Sequence, residues 1–348
     1  MLKQGDEFKK GYIRATSDKF LFLTLLPTEK CNFRCKYCYE DFKLGRMPAE
    51  VITGIENLIS AEVERGLSNL VISWFGGEPT LNSSAVFQIS EHVCKLQDTH
   101  DFVYSSHMTT NGYLLDIEML ERFVSLGLDS FQITLDGEQS GHDKTRVRAD
   151  GAGTFDRIWA NLLSFKDSGS DFEIDLRLHV SKGNEMSMES LSDDIAREFS
   201  SDSRYKVNFE KIKDLGTGVS GLSPNEFIDE LADERIDKAV ERFRGKLANV
   251  VADIEAGNSY ICYAAMPRQL MIRANGAIGK CTVLLDDERN NLGQINQDGT
   301  FSMHDGKRTL WTRGFESLDH HEIGCPAKNL PNFRRSSNAK VIPIVAAG

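Results

Sequence analysis

The chain has 348 residues, 40% hydrophobic and 27% charged, enough for one large catalytic domain with a smaller one beside it. A formal charge of −11 with no basic stripe interleaved with aromatics argues against a nucleic-acid binder, whose surface must answer phosphate. Met1 to Lys10 is polar and no stretch reaches the roughly 18 apolar residues that span a bilayer, so no membrane partner is expected and a cytoplasmic location is.

Residues 1–19 read as an N-terminal extension. Phe20 to Leu26 is a short apolar run with the character of a buried strand, closed by Pro27. Cys31, Cys35 and Cys38 follow in a loop, and Pro48 to Arg65 has helical spacing of Val51, Ile55 and Leu58. The pattern then repeats. Leu70 to Phe75 predicts a strand ending at Gly76-Gly77, and Ser83 to Gln97 a helix. Phe102 opens an extended segment reaching Asn111-Gly112, before a helix over Leu114 to Ser125. Ser130 to Leu135 predicts a strand ending at Asp136-Gly137, and Thr154 to Phe165 the next helix. Phe172 to Val180 and Tyr205 to Phe209 are further strands, with a helix over Glu189 to Phe199 between them. This rhythm over residues 20–214 is that of an α/β fold, a parallel barrel more readily than a doubly wound sheet, because the glycine and polar clusters all follow strands, where a barrel places its chemistry. Residues 215–257 read as a linker and charged helical segment. Gln269 to Arg273, the turn Ala274-Asn275-Gly276, and Ala277 to Cys281 form a hairpin signal in a second domain over residues 258–335. Residues 336–348 are left as a tail.

Seven cysteines in a chain with no export signal favour ligation over a disulfide framework. Cys31, Cys35 and Cys38 have the order C-x-x-x-C-x-x-C, and no other cysteine follows before Cys94. Three soft thiolates on one loop suit an iron-sulfur cluster with one iron left open, whereas zinc usually completes a tetrahedron. A zinc loop or buried structural thiols is the alternative. Cys31-Asn32-Phe33-Arg34-Cys35-Lys36-Tyr37-Cys38 resembles the signature of the radical S-adenosylmethionine (SAM) superfamily, including the aromatic Tyr37 before the third cysteine. The resemblance implies a partial (β/α)6 TIM-like barrel whose [4Fe-4S] cluster passes one electron to bound S-adenosyl-L-methionine. The cofactor is cleaved, and the resulting 5′-deoxyadenosyl radical takes a hydrogen atom from substrate.

The resemblance implies cofactor-binding roles for Gly76, Gly77 and Glu78 after one strand, with the acid as an alternative brace for its own loop. It implies the same for Asn111 at the end of another. Thr134-Leu135-Asp136-Gly137, continuing to His142-Asp143 and Arg146, resembles the S-L-D-G and H-D-x-x-R pattern of members with a C-terminal auxiliary-cluster domain. Thr134 is expected near the cofactor's ribose or carboxylate. Arg177 is expected to neutralise the methionyl carboxylate, a capping or salt-bridge role being the alternative; His179, two residues on, shares its face. Cys262, Gly276 and Cys281 resemble the start of a SPASM or twitch domain, so with Cys325 they are expected to hold one auxiliary [4Fe-4S] cluster, a zinc site or core cysteines being the alternative. The resemblance to a full SPASM domain stops there, and the fourth ligand is left unassigned.

The resemblance further implies a peptide-modifying maturase acting on a ribosomally made precursor peptide. An electron donor such as flavodoxin or ferredoxin, and a separate peptide-recognition protein, are the expected partners. The preferred reaction is an oxidative side-chain crosslink, carbon-carbon or thioether. Epimerisation is less favoured because it needs a hydrogen donor, and Cys94, the one unassigned cysteine, sits in a predicted helix. A radical alcohol dehydrogenase and a non-catalytic iron-sulfur electron-transfer or scaffold protein complete the alternatives.

Overall fold

The computed structural model describes residues 2–213, 234–251, 260–304, 306–331 and 340–342. The remainder of the linker, domain and tail segments expected from the sequence lies outside the described residues. In order, the elements are α1 (Leu2–Thr16), β1 (Phe20–Leu25), α2 (Ala49–Glu64), β2 (Asn69–Trp74), α3 (Ser83–Gln97), β3 (Val103–Thr110), α4 (Ile117–Ser125) and β4 (Leu128–Leu135). They continue with α5 (Gln139–Thr145), α6 (Phe155–Ser164), β5 (Glu173–Val180), α7 (Glu185–Phe199), β6 (Tyr205–Lys211) and α8 (Glu234–Arg244). The C-terminal part holds β7 (Gln269–Ile272), β8 (Ala277–Gly279), β9 (Gly293–Ile295), β10 (Phe301–Met303), α9 (Lys307–Ser317), α10 (His320–Gly324) and β11 (Lys340–Ile342). The chain divides into two compact units, with β3 crossing from one to the other after Ser106.

The first unit comprises Met1–Glu29, Lys43–Ser106 and Ile254–Gly348. Within it β1 lies between β2 and β7 and is parallel to both, Phe22 standing opposite Val71 on one side and Gln269 on the other. Leu23, Leu25 and Ile72 are wholly enclosed, each such burial contributing about 1.5–3 kcal/mol. α2 buries Val51, Ile55, Leu58, Ile59 and Val63, the stripe that the sequence spacing predicts. The Asn-Gly turn joins β7 to β8 as an antiparallel hairpin, with Gly276 at φ +82°, a conformation that glycine adopts without a Cβ clash. β8, β9, β10 and β11 then follow as an antiparallel series. The polar N-terminal extension is a helix. Its Tyr12 hydroxyl donates to the Phe315 carbonyl at 3.1 Å, and its Phe8 ring lies 4.6 Å from His320.

The second unit comprises Lys30–Phe42 and His107–Asp253. β4, β5 and β6 are parallel neighbours, with Thr134 opposite Arg177 and Arg177 opposite Asn208. One face carries Phe131, Ile133, Leu135, Ile174, Leu176, Leu178, Val207 and Phe209, all buried. The other carries Gln132, Thr134 and Asp136, then Asp175, Arg177 and His179, then Asn208 and Glu210. Parallel strands covered by helices on both sides read as near-continuous apolar runs; the alternation here leaves one face polar. Gln132 donates to Asp175 at 2.9 Å, Asn208 to Asp175 at 2.5 Å, and Arg177 to Gln132 at 3.3 Å. These bonds order that face into a layer.

Candidate active site

Cys31, Cys35 and Cys38 form no disulfide and lie in the segment that opens the second unit. The segment is held as a short antiparallel ribbon against Thr145–Ala149. Arg34 N donates to Val147 O at 2.8 Å, Lys36 N to Thr145 O at 2.9 Å, and Ala149 N to Asn32 O at 2.8 Å, with a bridge between Phe33 and Arg148. That register sets Cys35 opposite Arg146. The Phe33 amide donates to Cys31 Sγ at 3.3 Å. Asn111 Nδ2 donates to Asn32 Oδ1 at 2.8 Å and lies 3.9 Å from Cys31 Sγ; its own Oδ1 accepts from Tyr113 N at 3.0 Å, which fixes the amide's direction.

Tyr37 reaches behind the loop, where its hydroxyl donates to Asp136 Oδ1 at 2.9 Å and accepts from Arg146 at 2.6 Å. Thr145 Oγ1 holds the other Asp136 oxygen at 2.5 Å, and Asn184 donates to the Asp136 carbonyl at 2.9 Å. Burial pushes the Asp136 carboxyl up against the pull of Arg146 and these donors. His179 Nδ1 stands 3.6 Å from Asp136 Oδ1, and burial together with Arg177 and Arg146 holds its pKa well below the usual range, so it is neutral. His142 is wholly enclosed. Its Nδ1 accepts from the Asp136 amide at 3.3 Å, which leaves the proton on Nε2 to face Thr154 Oγ1 at 3.1 Å. Thr154 in turn donates to the Arg146 carbonyl at 2.5 Å, and Asp143 Oδ1 accepts from the Thr154 and Phe155 amides to cap α6. His142, Asp143 and Arg146 therefore build the wall behind the cysteines.

Burial pushes the Cys35 thiol up, and it drives Cys38 up to about 12 against a backbone hydrogen bond from Glu40. The protein alone keeps both protonated; a bound metal is what deprotonates a coordinating thiol. Among the described residues no three His, Cys, Asp or Glu side chains converge as ligands of a single metal ion. Such convergence would bring sulfurs to about 3.8 Å from one another around a zinc with Zn–S near 2.3 Å. The donor set of three thiols on one loop, an amide directed at Cys31 Sγ and a buried guanidinium opposite Cys35 fits an iron-sulfur cluster.

Of the other residues singled out in the sequence, Thr134 and Arg177 are neighbours on the polar face of β4 and β5. Arg177 spends its guanidinium on Gln132 and on Glu210, 3.4 Å away. In the first unit Gly76 has φ +104°, and a Cβ there would meet the Thr28 carbonyl at 2.4 Å, so only glycine fits. Gly77 follows half-buried. Glu78 is wholly buried, and its Oε1 accepts from Thr80 N at 3.0 Å and Thr80 Oγ1 at 2.6 Å. It caps its own loop.

Cys262, Cys281 and Cys325 also lie in the first unit, each without a disulfide. Burial pushes Cys262 up to about 11, with Cys281 and Cys325 close enough to add to the rise. Cys262 N donates to Ile323 O at 3.0 Å, tying its strand-like segment to α10 just before Cys325. Sequence reasoning missed the side chains around this trio. Tyr260 is 38% exposed as a residue, and burial, with the Cys262 thiol adding to it, pushes its phenol up to about 12. The Tyr263 hydroxyl accepts from Thr282 N at 3.1 Å. Lys280 is fully enclosed, its ammonium donating to the Met266 and Gln269 carbonyls at 2.5 and 2.6 Å. Asn290 clamps the Cys281 turn with both ends of its amide. The pattern Tyr260-x-Cys262-Tyr263, with an aromatic on each side of one cysteine, was the available signal.

Among solved structures, the chain resembles native anSMEcpe with bound AdoMet at TM-score 0.60 and 18% identity, covering 83% of this chain and 80% of that one. It resembles Streptococcus suis SuiB bound to precursor peptide SuiA at TM-score 0.55 and 17% identity, covering 85% and 66%. Residues 25–195 match the Radical SAM superfamily. The chain carries the radical SAM fold. Its α/β architecture resembles the partial (β/α) barrel of that superfamily, and the match takes in the cysteine loop, Gly76–Glu78, Asn111, the Asp136 network and Arg177. Curated relatives of the radical SAM region include a GTP 3′,8-cyclase of Microcystis aeruginosa, 27% identical over 232 residues, covering 65% of this chain and 63% of the relative. An Fe-coproporphyrin III synthase of Methanosarcina barkeri is 25% identical over 186 residues, covering 53% and 43%. The chain thus spans less than two thirds of the length of these relatives. Among the described residues no helix is long and apolar enough to cross a membrane.

Proposed function

We propose that the protein is a radical SAM enzyme that oxidises a peptide, taking one hydrogen atom and closing a carbon-carbon or thioether crosslink between side chains. The observation that carries the radical chemistry is the braced loop of Cys31, Cys35 and Cys38 against Thr145–Ala149. When bound, the cluster supplies the electron that cleaves S-adenosylmethionine. Cys31, Cys35 and Cys38 would hold it, Asn111 steadies the loop from one side and Tyr37 from the other. Gly76 and Gly77 would let the cofactor's methionyl end approach backbone, Thr134 would meet its ribose or carboxylate, and Arg177 would neutralise the methionyl carboxylate. Cys262, Cys281 and Cys325 would hold an auxiliary [4Fe-4S] cluster in a small C-terminal domain. Crosslinking removes two hydrogens from the peptide: one would go to the cofactor-derived radical, and the other would leave as a proton and an electron that a cluster held by Cys262, Cys281 and Cys325 would accept and hand to an external acceptor, while flavodoxin or ferredoxin would be the electron donor to the first cluster.

The likeness to SuiB bound to its precursor peptide supports the peptide substrate, and the GTP 3′,8-cyclase relatives make a purine nucleoside triphosphate the competing one. The test is anaerobic reconstitution followed by incubation with reductant, S-adenosylmethionine and candidate peptides encoded nearby or GTP. The expected result is formation of 5′-deoxyadenosine, abolished by Cys35→Ala, together with a peptide lighter by two hydrogens. An unchanged peptide mass with one deuterium taken from deuterated water would mark epimerisation instead. Conversion of GTP with every peptide untouched would overturn the peptide reading, and absence of bound iron and sulfide would overturn the radical reading.

A further inference from the structure

We propose that Arg146 is a positioning residue for the cluster held by Cys31, Cys35 and Cys38, donating from its Nε to the Cys35 thiolate and so making that cluster easier to reduce. The proposal rests on the reading of this loop as the cluster site. Three observations carry it. The ribbon register, set by the bonds of Arg34 to Val147 and Lys36 to Thr145, places Cys35 and Arg146 directly opposite each other, and directly opposed residues of an antiparallel pair project from the same face with Cβ atoms about 4.5–5.5 Å apart. Arg146 is only 7% exposed, and its Nε is buried without any hydrogen-bond partner. Its remaining contacts hold it from behind: one NH1 donates to the Tyr37 hydroxyl at 2.6 Å, and the carbon of the guanidinium lies 5.8 Å from the Phe33 ring centre.

A buried guanidinium with an orphaned donor is costly unless an anion meets it. Asp136, the one acid of the network, attracts the guanidinium by charge but makes no hydrogen bond to it, the Tyr37 hydroxyl relaying between the two. The anion that the geometry admits is the thiolate opposite. A cluster gains a negative charge on reduction, so a fixed cation and a donor on one of its sulfurs stabilise the reduced form more than the oxidised one and raise the potential. Tyr37, lying between Cys35 and Cys38 in the chain, keeps the guanidinium aimed.

The experiment compares wild type, Arg146→Gln and Arg146→Lys after anaerobic reconstitution. Cys262→Ala/Cys281→Ala/Cys325→Ala is the common background, so that only the first loop binds iron. Iron content, the melting temperature of the apo-protein and the midpoint potential from EPR-monitored titration are read for each. The expected result for Arg146→Gln is iron content near wild type and a reduced-to-oxidised ratio at fixed potential at least tenfold lower, which is about 59 mV for one electron. Arg146→Lys is expected between the two, because it keeps the charge and loses the fork. Wild-type potential in both iron-loaded variants overturns the proposal. If Arg146→Gln loses its iron, Arg146→Lys decides by the same criterion. If both lose iron, unchanged apo-protein melting supports a direct role at the cluster, and lowered melting assigns Arg146 to structure alone and overturns it. Failure of the background protein itself to bind iron refutes the cluster reading rather than the role of Arg146.

Discussion

Asn290 offers the sharpest single test of how the second cysteine set is held. Its side chain is 3% exposed; Oδ1 accepts from Lys280 N at 2.9 Å and Cys281 N at 3.1 Å, while Nδ2 donates to Cys281 O and Leu284 O, both at 2.8 Å. Asn290→Ala removes all four bonds and leaves main-chain groups to find water or stay unpaired. A net contribution of about 0.5–1.5 kcal/mol per bond gives about 2–6 kcal/mol; water entry at the turn favours the lower half, about 3 kcal/mol. With about 2.1 cal/mol/K of unfolding entropy per residue, a chain of 348 residues that melts in one transition loses about 4 °C. Asn291→Ala is the control: its side chain is exposed, and a change under about 0.5 kcal/mol is expected. The assay is calorimetry of both apo-proteins under reducing conditions, with iron counted after reconstitution. Asn290→Ala is expected to lose the iron attributed to Cys262, Cys281 and Cys325 while keeping that of the first loop. Melting of Asn290→Ala indistinguishable from Asn291→Ala would refute the clamp.

Three further outcomes follow from the geometry. Gly76→Ala must place a Cβ against the Thr28 carbonyl in a left-handed conformation, so the apo-protein is expected to lose about 2–4 kcal/mol; denaturant midpoints equal to wild type would contradict it. Asp143→Ala strips the cap from α6 and is expected to cost about 1 kcal/mol, whereas Asp143→Asn, which keeps the acceptor, should recover most of it in the same melt. Asp202 is held below the usual carboxylate range chiefly by hydrogen bonds from Arg204. Its folded-state pKa is depressed, so the stabilisation is complete above the unfolded value near about 3.9 and vanishes as pH falls through the folded one. Apo-protein melting should therefore drop more steeply below pH 4 in wild type than in Asp202→Asn, and parallel curves would count against the pairing.

The strands and the cysteine loop are legible in the sequence because their signals are local: the apolar run of β1, the alternation along β4 and β5, and three cysteines within eight residues. The polar N-terminal extension hides a helix, since α1 is stabilised by partners such as Phe315 that lie three hundred residues away in the chain. The H-D-x-x-R pattern is visible, but its use is not, because the facing of Arg146 and Cys35 depends on the register of two segments a hundred residues apart. Glu78 shows the same limit from the other side. An acid after two glycines reads either as a cofactor contact or as a brace for its own loop, and only the three-dimensional loop shows its Oε1 accepting from Thr80. Asn290 carries no motif at all, because an amide that satisfies turn amides and carbonyls is recognisable only once the turn exists.

The position of β1 between β2 and β7 has a consequence for the order in which the protein is made. β2 follows β1 out of the ribosome almost at once, but Gln269–Ile272, which covers the opposite edge, is synthesised about 12–50 s later at about 5–20 residues per second. Throughout that interval the nascent chain presents Phe20–Leu25 as an apolar strand with one open side, the kind of edge that recruits other chains. Truncation before β7 makes that exposure permanent. Fragments ending upstream of residue 269 are therefore expected to aggregate even when every cysteine of the first loop is present.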